Sequence, residues 1–236
     1  MKTPSGSVRS RCNMADTGSP LRTRLCALLG VEFPILQTGM GWVATPELVA
    51  GACNAGAFGF LAAAALPLAD VEAAIRRTKE LTDKPFGVNF LMGAPGAEEI
   101  VEMVLRHEVR AASYNRAPSA TLIQKLKAGG VLCVPTCGAP RHVQKAEKLG
   151  ADIVIVQGGE GGGHTGTIPT SLQVPACVDA VDIPVVAAGG FKDGRGLVAA
   201  LAWGAAGVAM GTRFLLTKES PVPEVTTERY LKAEFK

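Results

Sequence analysis

One nine-residue segment concentrates the groups that could carry out chemistry. Residues 158–166 read Gly-Gly-Glu-Gly-Gly-Gly-His-Thr-Gly, so six glycines surround Glu160 and His164. An imidazole titrates near neutral pH and can take up or release a proton during a reaction. The glycines before it leave room for a flat ring to lie against the backbone. We therefore predict that His164 is catalytic, the alternative being a histidine that only caps or solvates its loop.

The remaining polar groups around His164 have competing explanations. Glu160 would orient the imidazole or bind a ligand hydroxyl, and a solvated loop carboxylate explains it almost as well. The other two histidines of the chain have ordinary explanations. His107 ends a predicted helix, where its charge suits the helix dipole, and His142 begins another on a predicted exposed face.

Two other glycine pairs indicate a phosphate site. The sequences Ala-Ala-Gly-Gly at 187–190 and Met-Gly-Thr-Arg at 210–213 each follow an apolar run. Without side chains, the backbone N–H groups of Gly189, Gly190 and Gly211 can approach an anion closely. Two tight turns that bind no ligand would have the same sequence. The position of the glycine pairs in the fold therefore decides whether they form a phosphate site.

A third group of residues would face a heterocycle. Gly39-Met40-Gly41 follows the first apolar run, and its backbone N–H groups suit such a ligand, with Met40 or Trp42 packed alongside. Asn89 ends another apolar run and would direct its amide to the same place. The alternatives are an ordinary glycine turn with a core methionine, and a buried turn-forming asparagine.

These residues lie between apolar runs that alternate with amphipathic stretches. Predicted strands begin near Pro34, Ala57, Pro85, Val109, Val131, Ala151, Ile183 and Gly207. Predicted helices cover Thr45–Ala55, Leu68–Thr82, Ala97–His107, Ser119–Ala128, Pro140–Leu149, Asp193–Trp203 and Glu228–Phe235. The strand starts are 20 residues apart at the closest (131 to 151) and 32 at the widest (151 to 183). This alternation predicts an α/β fold, a parallel eight-stranded (β/α)₈ TIM barrel.

The predicted barrel brings the motifs to one face. Active sites of such barrels form where the strands end, and a phosphate site commonly follows the seventh and eighth strands. The two glycine pairs follow those strands, and His164 lies in the widest interval, after the sixth. We therefore expect one site that contains both the phosphate cradle and the histidine.

Composition limits the other functions. Residues 1–24 hold five of the 24 cationic residues and one of the 21 acidic residues, so the rest carries 19 positive and 20 negative charges. A basic face for nucleic acid is therefore not expected. The uncharged run 55–69 is too short to span a bilayer. Six scattered cysteines without a CxxC pair favour buried thiols in a reducing, cytoplasmic compartment over a metal site or disulfides.

The chain is predicted to contain one large domain. Residues 1–20 are expected to be a disordered tail, and residues 21–236 to form the barrel. Because the sequence stops just inside the predicted helix Glu228–Phe235, which would follow the eighth strand, we expect a C-terminal region of the barrel to be missing. The sequence leaves open whether the protein is a homo-oligomer.

Together the motifs resemble the nitronate monooxygenase (2-nitropropane dioxygenase-like) family of FMN-dependent barrels. The resemblance runs from about Leu21 to Tyr230. The segments that carry it are 34–41 (PILQTGMG), 84–89 (KPFGVN), 158–166 (GGEGGGHTG), 187–190 (AAGG) and 210–214 (MGTRF). The set is specific, whereas any one of these segments alone would not be.

The resemblance implies FMN as the cofactor and implies no metal. It also implies that His164 stands over the reactive face of the isoalloxazine. The cofactor contacts that it implies are Gly39, Met40, Gly41, Asn89, Gln157, Gly163, Gly189, Gly190, Gly211 and Thr212.

The activity that the resemblance implies first is the oxidation of alkyl nitronates. Dioxygen would complete the reaction to a carbonyl compound and nitrite, so the expected partners are a small-molecule substrate and O₂. His164 would act as a base on a neutral nitroalkane, or as a donor that stabilises charge near the anion.

Two departures from the family pattern leave the substrate open. Thr136 and Cys137 stand on the fifth predicted strand, where many members have Lys or Ser, and Gly161 stands where Ala is common. The latter variant resembles a branch that includes flavin dehydrogenases of CoA thioesters from steroid-ring breakdown. The alternatives are therefore such an acyl-CoA dehydrogenase, an NAD(P)H-dependent reductase of a quinone or enoyl thioester, or a phosphate-ligand-binding barrel without catalysis.

Overall fold

The computed structural model of the protein describes residues 21–115, 118–163 and 165–234. The predicted tail, residues 1–20, and the predicted catalytic residue His164 lie outside the described residues. The strands are β1 (Ile35–Gln37), β2 (Phe58–Ala62), β3 (Gly87–Leu91), β4 (Ala111–Asn115), β5 (Leu132–Cys137), β6 (Val154–Gln157), β7 (Val185–Ala188) and β8 (Gly207–Met210). The helices are α1 (Arg24–Leu29), α2 (Pro46–Asn54), α3 (Leu68–Leu81), α4 (Ala97–Arg106), α5 (Ala120–Ala128), α6 (Pro140–Lys148), α7 (Thr170–Val178), α8 (Gly194–Ala202), α9 (Thr212–Leu215) and α10 (Glu224–Leu231).

The eight strands form a closed parallel barrel in chain order. Each strand pairs with its neighbour, and β8 pairs with β1 through Ile35 opposite Val208, which closes the sheet. All eight strands begin within three residues of their predicted starts, the largest difference being Val154 against Ala151. The predicted (β/α)₈ TIM barrel is confirmed.

The short first helix covers one end of the barrel. Leu25 and Leu29 of α1 are fully buried and pack in the same cluster as interior strand residues such as Phe60 and Ile155. The hydroxyl of Thr23 donates to the carbonyl of Ala206, just before β8, at 2.6 Å. Because α1 contacts the starts of the strands, the opposite end, where the strands finish, remains available for a site.

Local sequence signals explain where α2 begins. The hydroxyl of Thr45 accepts a hydrogen bond from the N–H of Leu48 at 3.5 Å, and Pro46 occupies the first helical position. Proline suits that position because its missing N–H would have had no partner there. The predicted N-terminus of this helix is confirmed.

Three helices were not predicted, and one is displaced. The sequence prediction did not include α1, α7 or α9, and it placed the last helix at Glu228–Phe235, whereas α10 spans Glu224–Leu231. Helix α7 was missed because it contains Pro175, and a proline in a helix interior removes a hydrogen bond and so argues against a helix. The helix is nevertheless anchored by the fully buried Val174 and Cys177. Within the described ranges, no helix is long and apolar enough to cross a membrane.

Five of the six cysteines lie among the described residues, and all five are buried free thiols: Cys26, Cys53, Cys133, Cys137 and Cys177. Burial raises the pKa of Cys133 to about 11 and the pKa of Cys137 to about 12. Cys133 and Cys137 are therefore protonated at neutral pH and pack as small apolar side chains.

Candidate active site

A cavity of about 740 Å³ opens where the strands end. Its volume lies within the range of pockets that hold cofactors and small ligands. All ten residues predicted to contact the cofactor line it: Gly39, Met40, Gly41, Asn89, Gln157, Gly163, Gly189, Gly190, Gly211 and Thr212. The structure thus brings the predicted contacts to one place, and their role in binding a cofactor stays a prediction.

One half of the cavity is built mainly from backbone. It follows β7, β8 and β1, where glycines stand in place of side chains. Gly189 and Gly190 have φ values of +105° and +79°, which residues with a side chain rarely adopt. A Cβ atom on Gly189 would lie 3.0 Å from the nitrogen of Gly161 and 3.0 Å from the hydroxyl oxygen of Thr170. Both conformation and space therefore require glycine here, and the backbone is left accessible to a ligand.

The other half is built from neutral polar side chains. Successive strands from β3 to β6 contribute Asn89, Ser113, Asn115, Thr136 and Gln157. The amide nitrogen of Asn89 lies 3.3 Å from the hydroxyl of Ser113 and 3.4 Å from its carbonyl, and donates to both. Uncharged donors and acceptors of this kind suit a polar heterocycle or a carbonyl group better than an ion.

Asn115 carries an unused acceptor in this wall. Its Oδ1 atom is buried and has no hydrogen-bond partner among the described residues. A buried acceptor without a partner costs about 1–3 kcal/mol, so a donor that reached this atom would stabilise the wall. Sequence reasoning missed both Asn115 and Ser113. Their two-residue spacing at the end of β4 places both side chains on the inner face and was the available signal.

Two of the described lining residues carry a formal charge, Glu160 and Lys192. Lys192 is exposed, follows the Gly189–Gly190 pair by two residues, and has no ion pair within the described part of the chain. Its ammonium group is therefore available to an anion at the backbone half of the cavity.

Glu160 has a defined role that sequence reasoning left open. Its Oε2 atom accepts hydrogen bonds from the N–H of Thr170 at 2.8 Å and from the hydroxyl of Thr170 at 2.6 Å. The hydroxyl bond is the main cause that lowers the pKa of Glu160 below its usual range. The carboxylate thus caps the start of α7 and is not a freely solvated group.

The glycine-rich loop folds back onto the end of β6 on both sides of position 164. The carbonyl of Gly158 accepts from the N–H of Gly161 at 3.1 Å and from the hydroxyl of Thr165 at 3.0 Å. The amide nitrogen of Gln157 donates to the carbonyl of Gly162 at 2.7 Å. Gly163 therefore lines the cavity on one side of position 164, and Thr165 is tied to the end of β6 on the other.

Comparison with known proteins identifies the family. The nitronate monooxygenase family matches residues 22–115 and 96–236. The chain belongs to the nitronate monooxygenase family. Members of this family are flavoenzymes in general.

The chain is similar to three proteins with different names. The chain is 59% identical over 213 residues to the (3aS,4S,5R,7aS)-5-hydroxy-7a-methyl-1-oxo-octahydro-1H-indene-4-carboxyl-CoA dehydrogenase of Rhodococcus jostii (strain RHA1), covering 90% of this chain and 60% of that protein. It is 35% identical over 247 residues to a probable nitronate monooxygenase of Staphylococcus saprophyticus, covering 85% of this chain and 70% of that protein. The structure of FabK from Thermotoga maritima superposes with a TM-score of 0.87 at 39% identity, covering 90% of this chain and 68% of that one.

This member of the nitronate monooxygenase family therefore spans about 60% of the length of the Rhodococcus jostii dehydrogenase.

Proposed function

We propose that this chain is the catalytic barrel of an FMN-dependent oxidoreductase that dehydrogenates a fused-ring acyl-CoA thioester. The observation that carries the proposal is a single cavity with a backbone cradle on one side and a neutral polar wall on the other. The substrate class is supported by the 59% identity to a dehydrogenase whose name specifies an octahydro-indene carboxyl-CoA.

FMN fits the residues that are present. A flavin needs space for a flat ring and an anion site for its phosphate. The exposed backbone of Gly189, Gly190 and Gly211, together with the cation Lys192, provides the anion site where barrels commonly bind phosphate. The amides of Asn89 and Asn115 provide polar partners for the ring or the substrate. We expect mild denaturation of the purified protein to release FMN, and the release of FAD would contradict this assignment.

His164 is proposed as the residue that moves a proton. Bound FMN would supply a hydride acceptor. A thioester carbonyl acidifies the neighbouring C–H bond, so a base is needed for that proton, and the His164 imidazole nitrogen would take it. Gly161 and Gly162, which precede it in the chain, line the cavity and carry no side chain, so the backbone there is accessible to a ligand.

Nitronate oxidation is a second candidate, supported by membership of the family and by the probable nitronate monooxygenase of Staphylococcus saprophyticus. In that reaction O₂ is the co-substrate. His164 would remove a proton from a neutral nitroalkane, or stabilise the charge of a preformed nitronate.

Anaerobic titration of the flavin-loaded protein separates the candidates. The oxidised-flavin absorbance is followed while a fused-ring acyl-CoA, an alkyl nitronate, NADH or NADPH is added, with free CoA as the control. The proposal expects rapid bleaching by the acyl-CoA and none by CoA. Bleaching by the nitronate alone would move the assignment to nitronate oxidation, and bleaching by a nicotinamide nucleotide alone would indicate a reductase.

A further inference from the structure

A buried threonine behind the cavity joins three elements of the fold. Thr170, only 3% exposed, is the first residue of α7. Its hydroxyl oxygen lies 2.6 Å from Oε2 of Glu160 and 3.2 Å from the carbonyl oxygen of Gly189. Its N–H donates to the same Glu160 oxygen at 2.8 Å. The glycine-rich loop, the start of α7 and the end of β7 therefore meet at one residue.

The glycines around this junction leave space for it. A Cβ atom on Gly158 would lie 2.1 Å from the hydroxyl oxygen of Thr170, and one on Gly189 would lie 3.0 Å from it. A Cβ atom on Gly190 would lie 3.3 Å from Cβ of Glu160. Both strand ends thus pack directly against the Glu160–Thr170 pair, with no side chain between.

Helix α7 depends on this pair for its N-terminal cap. Its own N-cap residue, Pro169, offers no side-chain hydrogen bond. Glu160 supplies the missing acceptor from ten residues earlier in the chain, and its negative charge suits the positive end of a nine-residue helix. Because the acceptor comes from the loop, capping the helix also fixes the loop.

We propose that Glu160 and Thr170 are positioning residues that hold residues 158–163 of the glycine-rich loop and the Gly189–Gly190 cradle as one rigid wall. We call this pair the Glu160 clip. The part of the proposal that concerns flavin phosphate rests on the proposed function. The single hydroxyl proton of Thr170 is shared between the carboxylate oxygen of Glu160 at 2.6 Å and the more distant Gly189 carbonyl at 3.2 Å, and through this second contact the clip aligns the Gly189–Gly190 backbone. The clip also holds the described residues on both sides of position 164.

Hydrogen exchange of the full chain tests the clip without reference to activity. Thr170→Val removes the hydroxyl with little change in shape, and Thr170→Ser restores it. Thr78→Val removes an equally buried hydroxyl from α3, which bonds to the carbonyl of Ala74. Amides of residues 158–170 are expected to exchange about 10-fold faster in Thr170→Val, the effect of losing a hydrogen bond to a charged group. Thr170→Ser and Thr78→Val are expected to match the wild type in this segment.

The second readout is the preference for FMN over riboflavin, which lacks the phosphate. If the clip aligns the cradle, Thr170→Val should reduce that preference about 10-fold while riboflavin binding changes little, and Thr170→Ser should restore it. Threonine variants are used because Glu160→Gln would also remove a negative charge beside Gly190 and so reduce repulsion of the phosphate. Glu160→Gln is measured by hydrogen exchange only, and faster exchange is expected.

Wild-type exchange and wild-type FMN preference in Thr170→Val would overturn the clip, as would equal effects in Thr78→Val. A wild-type protein that binds riboflavin as tightly as FMN would instead refute the phosphate cradle of the proposed function. The exchange measurement would still decide whether the clip exists.

Discussion

Replacing Gly190 with alanine separates the proposed phosphate cradle from ordinary backbone strain. Gly190 has a φ of +79°, a conformation that costs a residue with a side chain about 1–2 kcal/mol. The added methyl carbon would lie 3.3 Å from Cβ of Glu160, so that neighbour must shift slightly. Gly130 is a matched control, because its φ is +75° and nothing lies within 4 Å of the position of its Cβ. It precedes β5, at the opposite end of the barrel from the cavity.

Both variants are expected to lose about 1–2 kcal/mol of unfolding free energy from the same strain. For a domain of this size that loss lowers the Tm by about 2–8 °C. Only Gly190→Ala is expected to weaken FMN binding, by roughly 10- to 150-fold, which corresponds to losing a hydrogen bond to a charged group. Thermal unfolding of the flavin-free protein and a fluorescence titration with FMN give the two quantities separately.

The comparison refutes the reasoning if Gly190→Ala binds FMN with wild-type affinity while both variants lose the same stability. The phosphate site would then lie elsewhere in the cavity. A loss of FMN affinity in Gly130→Ala equal to that in Gly190→Ala would show instead that general destabilisation is responsible.

Three other predictions use separate measurements. His164→Ala should retain FMN and keep its unfolding free energy within about 0.5 kcal/mol, while turnover of a substrate that must lose a proton falls roughly 10²–10⁴-fold; undiminished turnover would leave His164 a loop residue. Lys192→Gln should weaken FMN binding by up to about fivefold and reduce its salt dependence without affecting riboflavin, whereas Lys79→Gln on the exposed face of α3 should change neither. Wild-type FMN affinity in Lys192→Gln would exclude a phosphate contact. Hydrogen bonding to His107 is the main cause that lowers the pKa of Glu72 from 4.5 to about 2, so ionised Glu72 stabilises the fold above pH 4.5 and that contribution is lost as the pH falls towards 2. Urea unfolding at several pH values should show that Glu72→Gln lacks this dependence, and identical profiles would contradict it.

The barrel was predictable because its signals are local and repeated. Each strand is a short apolar run, and the runs recur at similar intervals, so eight starts were placed within three residues. The backbone half of the cavity was predictable for a related reason. Glycines at the ends of β7 and β8 are visible in the sequence. In barrels of this kind the active site forms at the end where the strands finish.

The side-chain half was less predictable. Ser113 and Asn115 occur in the run Ala-Ala-Ser-Tyr-Asn, where a polar residue reads equally well as a buried structural group. Their direction depends on strand register, and register comes from pairing with β3 and β5. The unused acceptor of Asn115 is a property of its surroundings in three dimensions, which no spacing rule encodes.

The role of Glu160 could not be predicted because its partner was hidden. Thr170 begins helix α7, which was not predicted because it contains Pro175. The sequence prediction therefore placed Glu160 in a loop with no helix for it to cap. The contact of the Thr170 hydroxyl with the Gly189 carbonyl also joins residues 19 positions apart, one at the start of α7 and the other just after β7. Contacts of this kind result from closure of the barrel and cannot be inferred from residues that are adjacent in sequence.

The two kinds of wall differ in how they tolerate genetic change. On the β7–β8 side, the groups offered to a ligand belong to the main chain, so almost any replacement at Gly189 introduces strain or a steric clash. On the β3–β6 side, the groups offered to a ligand belong to side chains such as Ser113, Asn115 and Thr136, so a replacement there changes the chemistry of the wall directly. Amino-acid substitutions are thus restricted by backbone geometry on the β7–β8 side and are less restricted by it on the β3–β6 side. Substitutions that change which ligand the cavity accepts are therefore expected on the β3–β6 side, with the β7–β8 backbone unchanged.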